Sequence, residues 1–334
     1  MEMGKTSNWI KAFFLVVLCG LLSMGTALAS EKKEFRSADT HPADYPTVQA
    51  MNYMGKILSE RTNARLSISV FHSRQLGEET DTIDMARVGA VDLLRISFAP
   101  FTDLIPEARV LTLPFLFSSD AHFQAVINGP IGKEVLAAFE QHGFIGLAYY
   151  ESGSRSFYTT EKPVRSLKDL KGLQIRVQNS DLIAATMTAL GAIPIKMPFG
   201  QVSTALEASI IDGAENNWSS YQSTGHYKAA PNYSLSRHLR VPEVVVMSKA
   251  VWDTLTHEDQ TIIRQAAVDS QKVMAELWKE RTDKAKKIVL DAGVQTYELE
   301  DISAFQEAVK PVYDQFINDP KLKNLVSRIR AVHP

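Results

Sequence analysis

The residue best suited to binding a charged ligand is Arg176, at the end of a short alternating stretch. Residues 173–177 alternate apolar and polar side chains with the period of a half-buried strand. Asn179 and Ser180 then predict a helix N-terminus, so Arg176 lies between a strand end and a helix start, where α/β proteins commonly bind ligands. A guanidinium keeps its charge and holds a carboxylate through two parallel hydrogen bonds. Arg176 is therefore a candidate carboxylate clamp, although an arginine in a surface salt bridge would show the same spacing.

Other polar and aromatic residues lie at predicted turns and strand ends of the same half of the chain. They are Arg155, Phe199, Asn216, Asn217 and Trp218. Each has a plainer explanation when taken alone: an ion pair for Arg155, a turn for Asn216 and core packing for Trp218. Arginines, amides and aromatic rings found together are typical of a site for an anionic, hydroxylated small molecule.

The sequence contains no motif typical of an enzyme or of a cofactor site. It has no P-loop and no G-x-G-x-x-G, and the serines at residues 154 and 156 do not form a G-x-S-x-G elbow. The eight histidines are scattered, and His257-Glu258 lacks the second histidine of a zinc-protease helix. We therefore expect no catalytic residue, no metal and no cofactor, although serine, histidine and aspartate from distant segments could still converge in space.

The N-terminal segment predicts export of the protein. Lys5 and Lys11 precede an apolar run over residues 12–22, and small residues follow up to Ala29. This pattern is that of a secretory signal peptide over residues 1–29, cleaved after Ala29, and the run is too short and wrongly flanked for a membrane span. Cleavage would remove Cys19, the only cysteine. An exported chain without disulfides needs a large core, and we expect it in the periplasm.

The charge balance and the length limit the classes of partner and of fold. The chain has 36 basic and 38 acidic side chains, a net charge of −2, and no strongly charged block. Neither nucleic acid nor a membrane surface is indicated as a partner. The 334 residues are enough for two lobes, and we expect a monomer.

The hydrophobic pattern predicts an α/β protein. Strands separated by helices in the first hundred residues indicate right-handed βαβ units and a parallel sheet. The valine-rich stretch before Ser248 is typical of a strand buried on both faces. The predicted strands cover residues 35–39, 66–71, 91–96, 144–150, 157–158, 173–177, 192–196, 213–216, 244–248 and 294–299.

The longest predicted helix starts at Thr256 and meets no glycine or proline before Gly293. About 34 residues at 1.5 Å per residue make a rod of about 50 Å, which is longer than one small lobe needs. We therefore expect this helix to lie across both lobes. The predicted division assigns residues 30–152 plus 242–281 to lobe I and residues 153–241 plus 282–334 to lobe II. Pro311 should kink or restart a later helix over residues 302–317.

Five segments of the chain resemble a known family. They are Ser73-Arg-Gln-Leu-Gly-Glu-Glu79, Gly172-Leu-Gln-Ile-Arg-Val177, Ala189-Leu-Gly-Ala192, Met197-Pro-Phe199 and Ile211-Asp-Gly-Ala-Glu-Asn216. In this order they resemble the extracytoplasmic solute-binding subunit of TRAP transporters, over nearly the whole exported chain. That family has a two-lobe α/β periplasmic binding protein fold with crossing hinge strands and a long interlobe spine helix. Its subunits are not enzymes: they capture organic acids and deliver them to membrane permease subunits driven by an ion gradient, without ATP.

The resemblance implies a role for several residues in the second lobe. Arg176 matches the arginine that clamps the ligand carboxylate, and Arg155 matches a second arginine often found beside the ligand. Asn216 matches the amide that completes the carboxylate site, and Asn179 a polar residue beyond the clamp. Phe199 matches an aromatic ring that lies against the ligand.

The resemblance also implies a ligand class. On the first lobe, Glu79 matches an acidic position facing ligand hydroxyls, and His41 and Arg95 match more loosely. With Asn217 and Trp218, these residues look closest to family members that bind hexuronates such as glucuronate and galacturonate. A C4-dicarboxylate, a keto acid and an aldonate stay open as ligands. So do a periplasmic enzyme acting on sugar acids and a sensor partner in place of the permease.

Overall fold

A computed structural model describes residues 32–333, which form two α/β lobes, each built around one sheet. The predicted signal peptide and its cleavage site lie outside the described residues. The strands are β1 (Lys33–Ala38), β2 (Leu66–Phe71), β3 (Leu93–Ser97), β4 (Phe144–Tyr150), β5 (Arg155–Thr159), β6 (Gln174–Val177), β7 (Ile193–Lys196), β8 (Gly213–Asn216), β9 (Asn232–Leu239), β10 (Glu243–Ser248) and β11 (Gln295–Tyr297).

The helices include one that is far longer than the rest. They are α1 (Pro46–Arg61), α2 (Glu79–Arg87), α3 (Asp120–Ile127), α4 (Pro130–Ala138), α5 (Leu167–Leu170), α6 (Asp181–Ala189), α7 (Val202–Glu207), α8 (Trp218–Ser223), α9 (Lys249–Trp252), α10 (His257–Asp291), α11 (Ile302–Ala308), α12 (Lys310–Phe316) and α13 (Pro320–Arg330). Short 3₁₀ segments lie at Ala99–Asp103, Pro106–Thr112, Phe139–His142, Phe199–Gln201 and His226–Lys228. None of the helices described between residues 32 and 333 is long and apolar enough to cross a membrane.

The sheet of the first lobe has the strand order β2-β1-β3-β10-β4. β1 is parallel to β2 and β3, as the βαβ pattern of the sequence predicts, whereas β10 is antiparallel to β3 and β4. Every residue of β10 is buried, which confirms the prediction made from its valines. The chain enters this strand from the other lobe, so β10 completes a sheet whose other strands come from residues 33–150.

The sheet of the second lobe has the order β11-β9-β5-β8-β6-β7. β6 is parallel to β7 and β8, and β5 is antiparallel to β8 and β9. β9 is the one strand of the described chain that the hydrophobic pattern does not predict. Its buried positions include Ser234 and Ser236, whose hydroxyls are hydrogen-bonded to the backbone N–H of Val164 and to His238 Nδ1. Hydroxyls that find partners can be buried, but they do not show as an apolar pattern.

The long helix α10 lies across both lobes, as its predicted length implies. Thr256 caps its first turn, and the helix packs on α1 and β4 of the first lobe and on α8 of the second. Arg281 of this helix bonds to both lobes, with its Nη1 at 3.2 Å from Asp44 Oδ2 and its Nη2 at 2.9 Å from Gln222 Oε1. The helix therefore holds the two lobes side by side.

Two short segments carry the chain between the sheets. Residues 151–154 connect β4 to β5, and residues 240–242 connect β9 to β10. The two segments touch, because the Ser152 hydroxyl donates to the carbonyl of Val241. Adjacent crossings of this kind form a hinge at which two lobes can rotate.

The C-terminal helices lie against both lobes. Pro311 occupies the first turn of α12, so the predicted helix over residues 302–317 is restarted there. α13 contacts the first lobe, with Arg328 Nη1 at 2.7 Å from Glu134 Oε2 and His122 Nε2 at 2.8 Å from the carbonyl of Ile329. The predicted division of the chain into lobe I and lobe II, including the assignment of these last helices to lobe II, stays a prediction.

Candidate functional site

A cavity lies between the lobes at the ends of several strands. Its inner part is bordered by Thr40, His41, Glu79, Ser97 and Glu243 from the first lobe and by Arg155, Arg176, Gln178, Phe199, Asn216 and Ser220 from the second. An outer part continues past Arg176 and Phe199 towards Asn179 and Lys196 at the mouth. The cavity lies at the carboxyl ends of the parallel strands β1, β3, β6 and β8, the position at which open α/β sheets bind ligands.

Arg176 is a buried cation without a carboxylate partner in the described chain. Its Nε and Nη2 donate to the carbonyl of Met197 at 2.9 and 2.7 Å, and no acidic side chain lies within salt-bridge distance. Burial, together with the positive charge of Arg155, lowers the pKa of Arg176. A buried charge is costly unless it is paired, and three of the guanidinium N–H groups have no bond to residues 32–333. The guanidinium of Arg176 can therefore bind an anion that enters the cavity.

Arg155, by contrast, is already paired. Its Nη2 lies 2.8 Å from Glu215 Oε1, its Nε bonds to the other carboxylate oxygen, and its Nη1 donates to Asn216 Oδ1 at 2.9 Å. The backbone N–H of Asn217 donates to the same amide oxygen. Because Oδ1 of Asn216 receives two donors, its Nδ2 is the end of the amide left for a ligand. Arg155 thus orients Asn216, with one N–H on Nη1 left over.

Arg95 is enclosed by carboxyl groups of the first lobe. Its Nε donates to Asp39 Oδ2 at 2.7 Å, its Nη2 to the other oxygen of Asp39, and its Nη1 to Glu243 Oε2 at 2.5 Å. All three side chains are buried. Arg95 does not border the inner cavity, and its Nη2 also donates to Thr40 Oγ1 at 3.3 Å, so one N–H of Nη1 is all that remains without a partner in the described chain. Its main effect is to hold Asp39 and Glu243 in place, and a direct bond from Arg95 to a ligand hydroxyl stays a prediction.

Glu79 and Glu243 bring two carboxyl groups to the first-lobe side of the cavity. Oε1 of Glu79 accepts the backbone N–H of Ser97 at 2.9 Å, and Ser97 lies directly opposite Glu243 in the β3–β10 pairing. Burial raises the pKa of Glu79 and raises the pKa of Glu243 to about 7. The sequence analysis named Glu79 but not Glu243, which lies at the start of a strand otherwise rich in valine.

Aromatic rings form one wall of the cavity. His41 stacks on Tyr45 with ring centroids 3.8 Å apart, and Phe199 presents its edge to His41 at 5.3 Å. Burial, then the charge of Arg95, lowers the pKa of His41, so this imidazole is neutral. Its Nδ1 is buried without a hydrogen-bond partner in the described residues. His41 and Phe199 therefore both border the cavity, where Nδ1 of His41 can bond to a hydroxyl group, and their contact with a ligand stays a prediction.

Gln178 is the most informative residue that the sequence analysis missed. Its Nε2 donates to Ser97 Oγ of the other lobe at 2.7 Å, and its Oε1 is buried without a partner in the described chain. Gln178 lies two residues after Arg176, so the period of the strand places both side chains on one face. That spacing is a signal that could have identified it. Ser220, which is hydrogen-bonded to Tyr45 across the lobes at 3.0 Å, has no such signal.

Two residues predicted for the site, Asn217 and Trp218, lie elsewhere in the structure, and a third, Asn179, lies at the mouth of the cavity. Asn217 caps α8 by accepting the N–H of Ser220 at 2.7 Å, and Trp218 stacks on Tyr233 at 4.0 Å inside the second lobe. Neither borders the cavity, because the helix start that follows β8 turns both side chains away. Asn179 is exposed at the mouth of the outer cavity. Ligand contacts of Asn217 and Trp218 would therefore require a different packing of α8.

Comparison with known proteins shows which proteins this chain is similar to. Residues 37–319 match the family described as Bacterial extracellular solute-binding protein, family 7. A solute-binding protein of Chromohalobacter salexigens is 37% identical over 327 residues, covering 98% of this chain and 97% of that protein. The crystal structure of a TRAP periplasmic solute-binding protein from Bradyrhizobium sp. btai1, in complex with α/β-D-galacturonate, is 50% identical with a TM-score of 0.89, covering 90% of this chain and 100% of that one. Another from Pseudomonas putida F1, with bound D-glucuronate, is 36% identical with a TM-score of 0.87, covering 90% and 98%.

Proposed function

This chain belongs to the bacterial extracellular solute-binding protein family 7, and on that premise we propose that it captures a hexuronate in the cleft between its lobes. The buried guanidinium of Arg176, which has no carboxylate partner in the described chain, is the observation that carries the proposal. The similar proteins crystallised with galacturonate and glucuronate support the ligand class.

The carboxylate of the ligand binds at the second-lobe end of the cavity. Arg176 contributes the free edge of its guanidinium, and Nδ2 of Asn216 is a further donor bordering the same space. A charge-assisted bond to a guanidinium is roughly twice as strong as a neutral one, and the two-pronged geometry also sets the plane of the carboxylate. The anion thereby replaces the missing partner of Arg176.

The hydroxyls of the sugar ring meet acceptors along the rest of the cavity. Oε1 of Gln178 and Nδ1 of His41 are buried and unpaired in the described chain, and the carboxyl groups of Glu79 and Glu243 border the same space. Phe199 lies where an apolar ring face can pack. A keto acid has too few hydroxyls to satisfy these acceptors, and unpaired buried polar groups would oppose its binding. The cavity is therefore better matched to a polyhydroxylated acid.

Binding closes the two lobes around the ligand. Bonds between the lobes include Gln178 to Ser97, Tyr45 to Ser220, and the N–H of Gly200 to Glu78 Oε1 at 3.1 Å. A ligand that touches both lobes stabilises this closed arrangement over an open one, because only closure completes its contacts. The closed form is the state that membrane permease subunits of a TRAP transporter would recognise, after export of the chain to the periplasm.

We propose binding without chemical conversion. An enzyme acting on sugar acids is the alternative from another class. Within residues 32–333 no group of three histidine, cysteine or acidic side chains could hold a metal ion. Long incubation with galacturonate, followed by mass spectrometry, should return the ligand unchanged, whereas a product of different mass would favour the enzyme.

The test of the binding proposal is a thermal-shift series on the exported protein, refolded to remove any ligand carried through purification. A ligand that binds the native state raises the melting temperature by mass action. Galacturonate or glucuronate should raise it, and galactose, which lacks the carboxylate, should not. Shifts confined to C4-dicarboxylates or keto acids would overturn the hexuronate assignment while leaving the clamp in place.

A further inference from the structure

The charged groups around the cavity are unevenly paired. Three arginines and four acidic side chains surround it: Arg95, Arg155 and Arg176, with Asp39, Glu79, Glu215 and Glu243. Arg155 and Glu215 balance each other, and Arg95 is shared by Asp39 and Glu243. Glu79 has no basic side chain within salt-bridge distance in the described chain, and Arg176 has no acidic one. One uncompensated positive group therefore faces an excess of acidic groups across the cavity.

Other titratable groups near the cavity do not remove this asymmetry. His41 is kept neutral by burial and by Arg95, and burial lowers the pKa of His226 to about 3. At the mouth, Arg74 lies 3.6 Å from Glu78, and Lys196 pairs with Asp181. Each of these outer pairs sums to zero charge. Among the described residues that border the inner cavity, Arg176 is therefore the cation whose charge no ion pair neutralises.

Two unpaired atoms indicate that a ligand, and not only a structural ion pair, occupies the acidic end. Nδ1 of His41 and Oε1 of Gln178 are buried, lack partners in the described residues and border the same cavity as Glu79 and Glu243. Both atoms accept hydrogen bonds when the imidazole is in the matching tautomer, as does a carboxylate. The acidic end of the cavity therefore presents acceptors, and the matching ligand group is a hydroxyl.

We propose that Glu79 and Glu243 determine the charge specificity of the site, admitting sugar acids with one carboxylate and rejecting those with two. This inference rests on the proposed function. A monoanion can bind in one orientation, with its carboxylate on Arg176 and its hydroxyls on Glu79 and Glu243. A dianion of the same length brings its second carboxylate to those two acids, and like charges brought together in a dry site repel strongly.

Three ligands test this specificity, and the two open-chain acids among them differ in one terminal group. Galacturonate is the expected ligand. Galactonate is an open-chain acid with one carboxylate, and galactarate is the same open chain with a second carboxylate. Calorimetric titration of the exported protein at pH 8 should show galactonate binding more tightly than galactarate by about tenfold or more. Because galactarate and galactonate both lack the ring of galacturonate, the comparison between these two acids excludes the effect of losing the ring.

Two variants test whether Glu79 and Glu243 cause this selectivity. Glu79→Gln and Glu243→Gln keep the size of the side chain and its ability to accept a bond, and either should reduce the preference for galactonate over galactarate by about tenfold. Glu60→Gln, on the exposed face of α1 and paired only with Lys56, is the matched control and should leave the preference unchanged. If one of these two glutamine variants fails to fold, the other still tests the proposal.

Each outcome separates the two proposals. Equal binding of galactonate and galactarate, or an unchanged preference in both acidic variants, would overturn the charge specificity while hexuronate binding stands. If galacturonate binds but galactonate and galactarate do not, the charge specificity is also overturned, because the shape of the ring would then select the ligand. Binding of none of the three would overturn the proposed function itself.

Discussion

Arg155 donates through Nη1 to the side-chain oxygen of Asn216 at 2.9 Å, and this bond decides which end of the amide reaches a ligand. The backbone N–H of Asn217 donates to the same oxygen, also at 2.9 Å. An oxygen that receives two donors cannot be exchanged with the NH₂ group of the amide without losing both bonds. Arg155, predicted as a second ligand-binding arginine, therefore has a positioning role that its charge alone does not suggest.

Asn216→Asp tests this arrangement directly. The aspartate keeps the oxygen that Arg155 and Asn217 require, but replaces the Nδ2 donor with a negative oxygen facing the ligand carboxylate. We expect the affinity for galacturonate to fall by more than about tenfold, because a donor is lost and like charges meet. Calorimetry measures the affinity, and an unchanged melting temperature of the ligand-free variant would show that the fold is intact. Affinity within twofold of the wild type would contradict the assignment of Asn216.

Arg176→Ala should remove the clamp. Losing one partner of a buried charged pair costs about 2–5 kcal/mol, and about 1.4 kcal/mol corresponds to a tenfold change in affinity. The affinity for galacturonate should therefore fall by more than tenfold. The ligand-free variant should melt no lower than the wild type, because Arg176 has no carboxylate partner to lose in the described chain. Arg165→Ala, at an exposed pair with Glu300, is the control. Undiminished affinity of Arg176→Ala would exclude the clamp.

The affinity should depend on pH through Glu243. Burial raises the pKa of Glu243 from 4.5, the value of a free carboxyl, to about 7. We expect closure of the cleft to complete this burial and therefore to take up a proton between these values. Binding should strengthen by about fourfold as the pH falls from 8.5 to 6.5. Below 6.5 the gain should stop, because burial lowers the pKa of His41 and closure must then release a proton from it. Glu243→Gln should flatten the upper part of the profile, and an unchanged profile would rule out Glu243 as the source.

Gln178→Ala should speed the release of ligand. The variant loses the bond from Nε2 to Ser97 across the lobes and also the unpaired Oε1 that we assign to a ligand hydroxyl. Both groups act only in the closed state, so the dissociation rate should rise by about tenfold or more while the association rate changes little. Stopped-flow fluorescence measures both rates. Gln174→Ala, at an exposed position of the same strand, is the control, and equal rates in the two variants would contradict this role.

Trp218→Ala should affect stability and leave the affinity unchanged. Trp218 stacks on Tyr233 in the second lobe and does not border the cavity. Truncating a packed tryptophan costs about 2 kcal/mol or more of stability, so the melting temperature should fall. The affinity for galacturonate, measured well below that temperature, should stay within twofold of the wild type. If the folded Trp218→Ala variant bound galacturonate at least tenfold more weakly than the wild type, Trp218 would contact the ligand, as the resemblance implies.

The elements of the fold were largely predictable from local patterns. The alternation around Arg176, the valines of β10 and the uninterrupted stretch of α10 each reflect burial that repeats with the period of a strand or a helix. β9 was missed because the buried serines at 234 and 236 are satisfied by hydrogen bonds and leave no apolar signal. The helix α8 has no strong helical pattern because it is short, so the sequence did not indicate that Trp218 stacks on Tyr233.

The sequence by itself determined the α/β class, the long spine helix and the resemblance to a family, and it identified Arg176 as a candidate clamp. Each of these depends on the residue type at one position or on a periodic pattern along the chain. The tertiary structure alone decided which arginines are free. Arg95, Arg155 and Arg176 are the same residue type at similar strand ends, yet within the described part of the chain two are paired with acids distant in sequence and one is not. Pairing depends on distances between side chains from different strands, and no local pattern contains those distances.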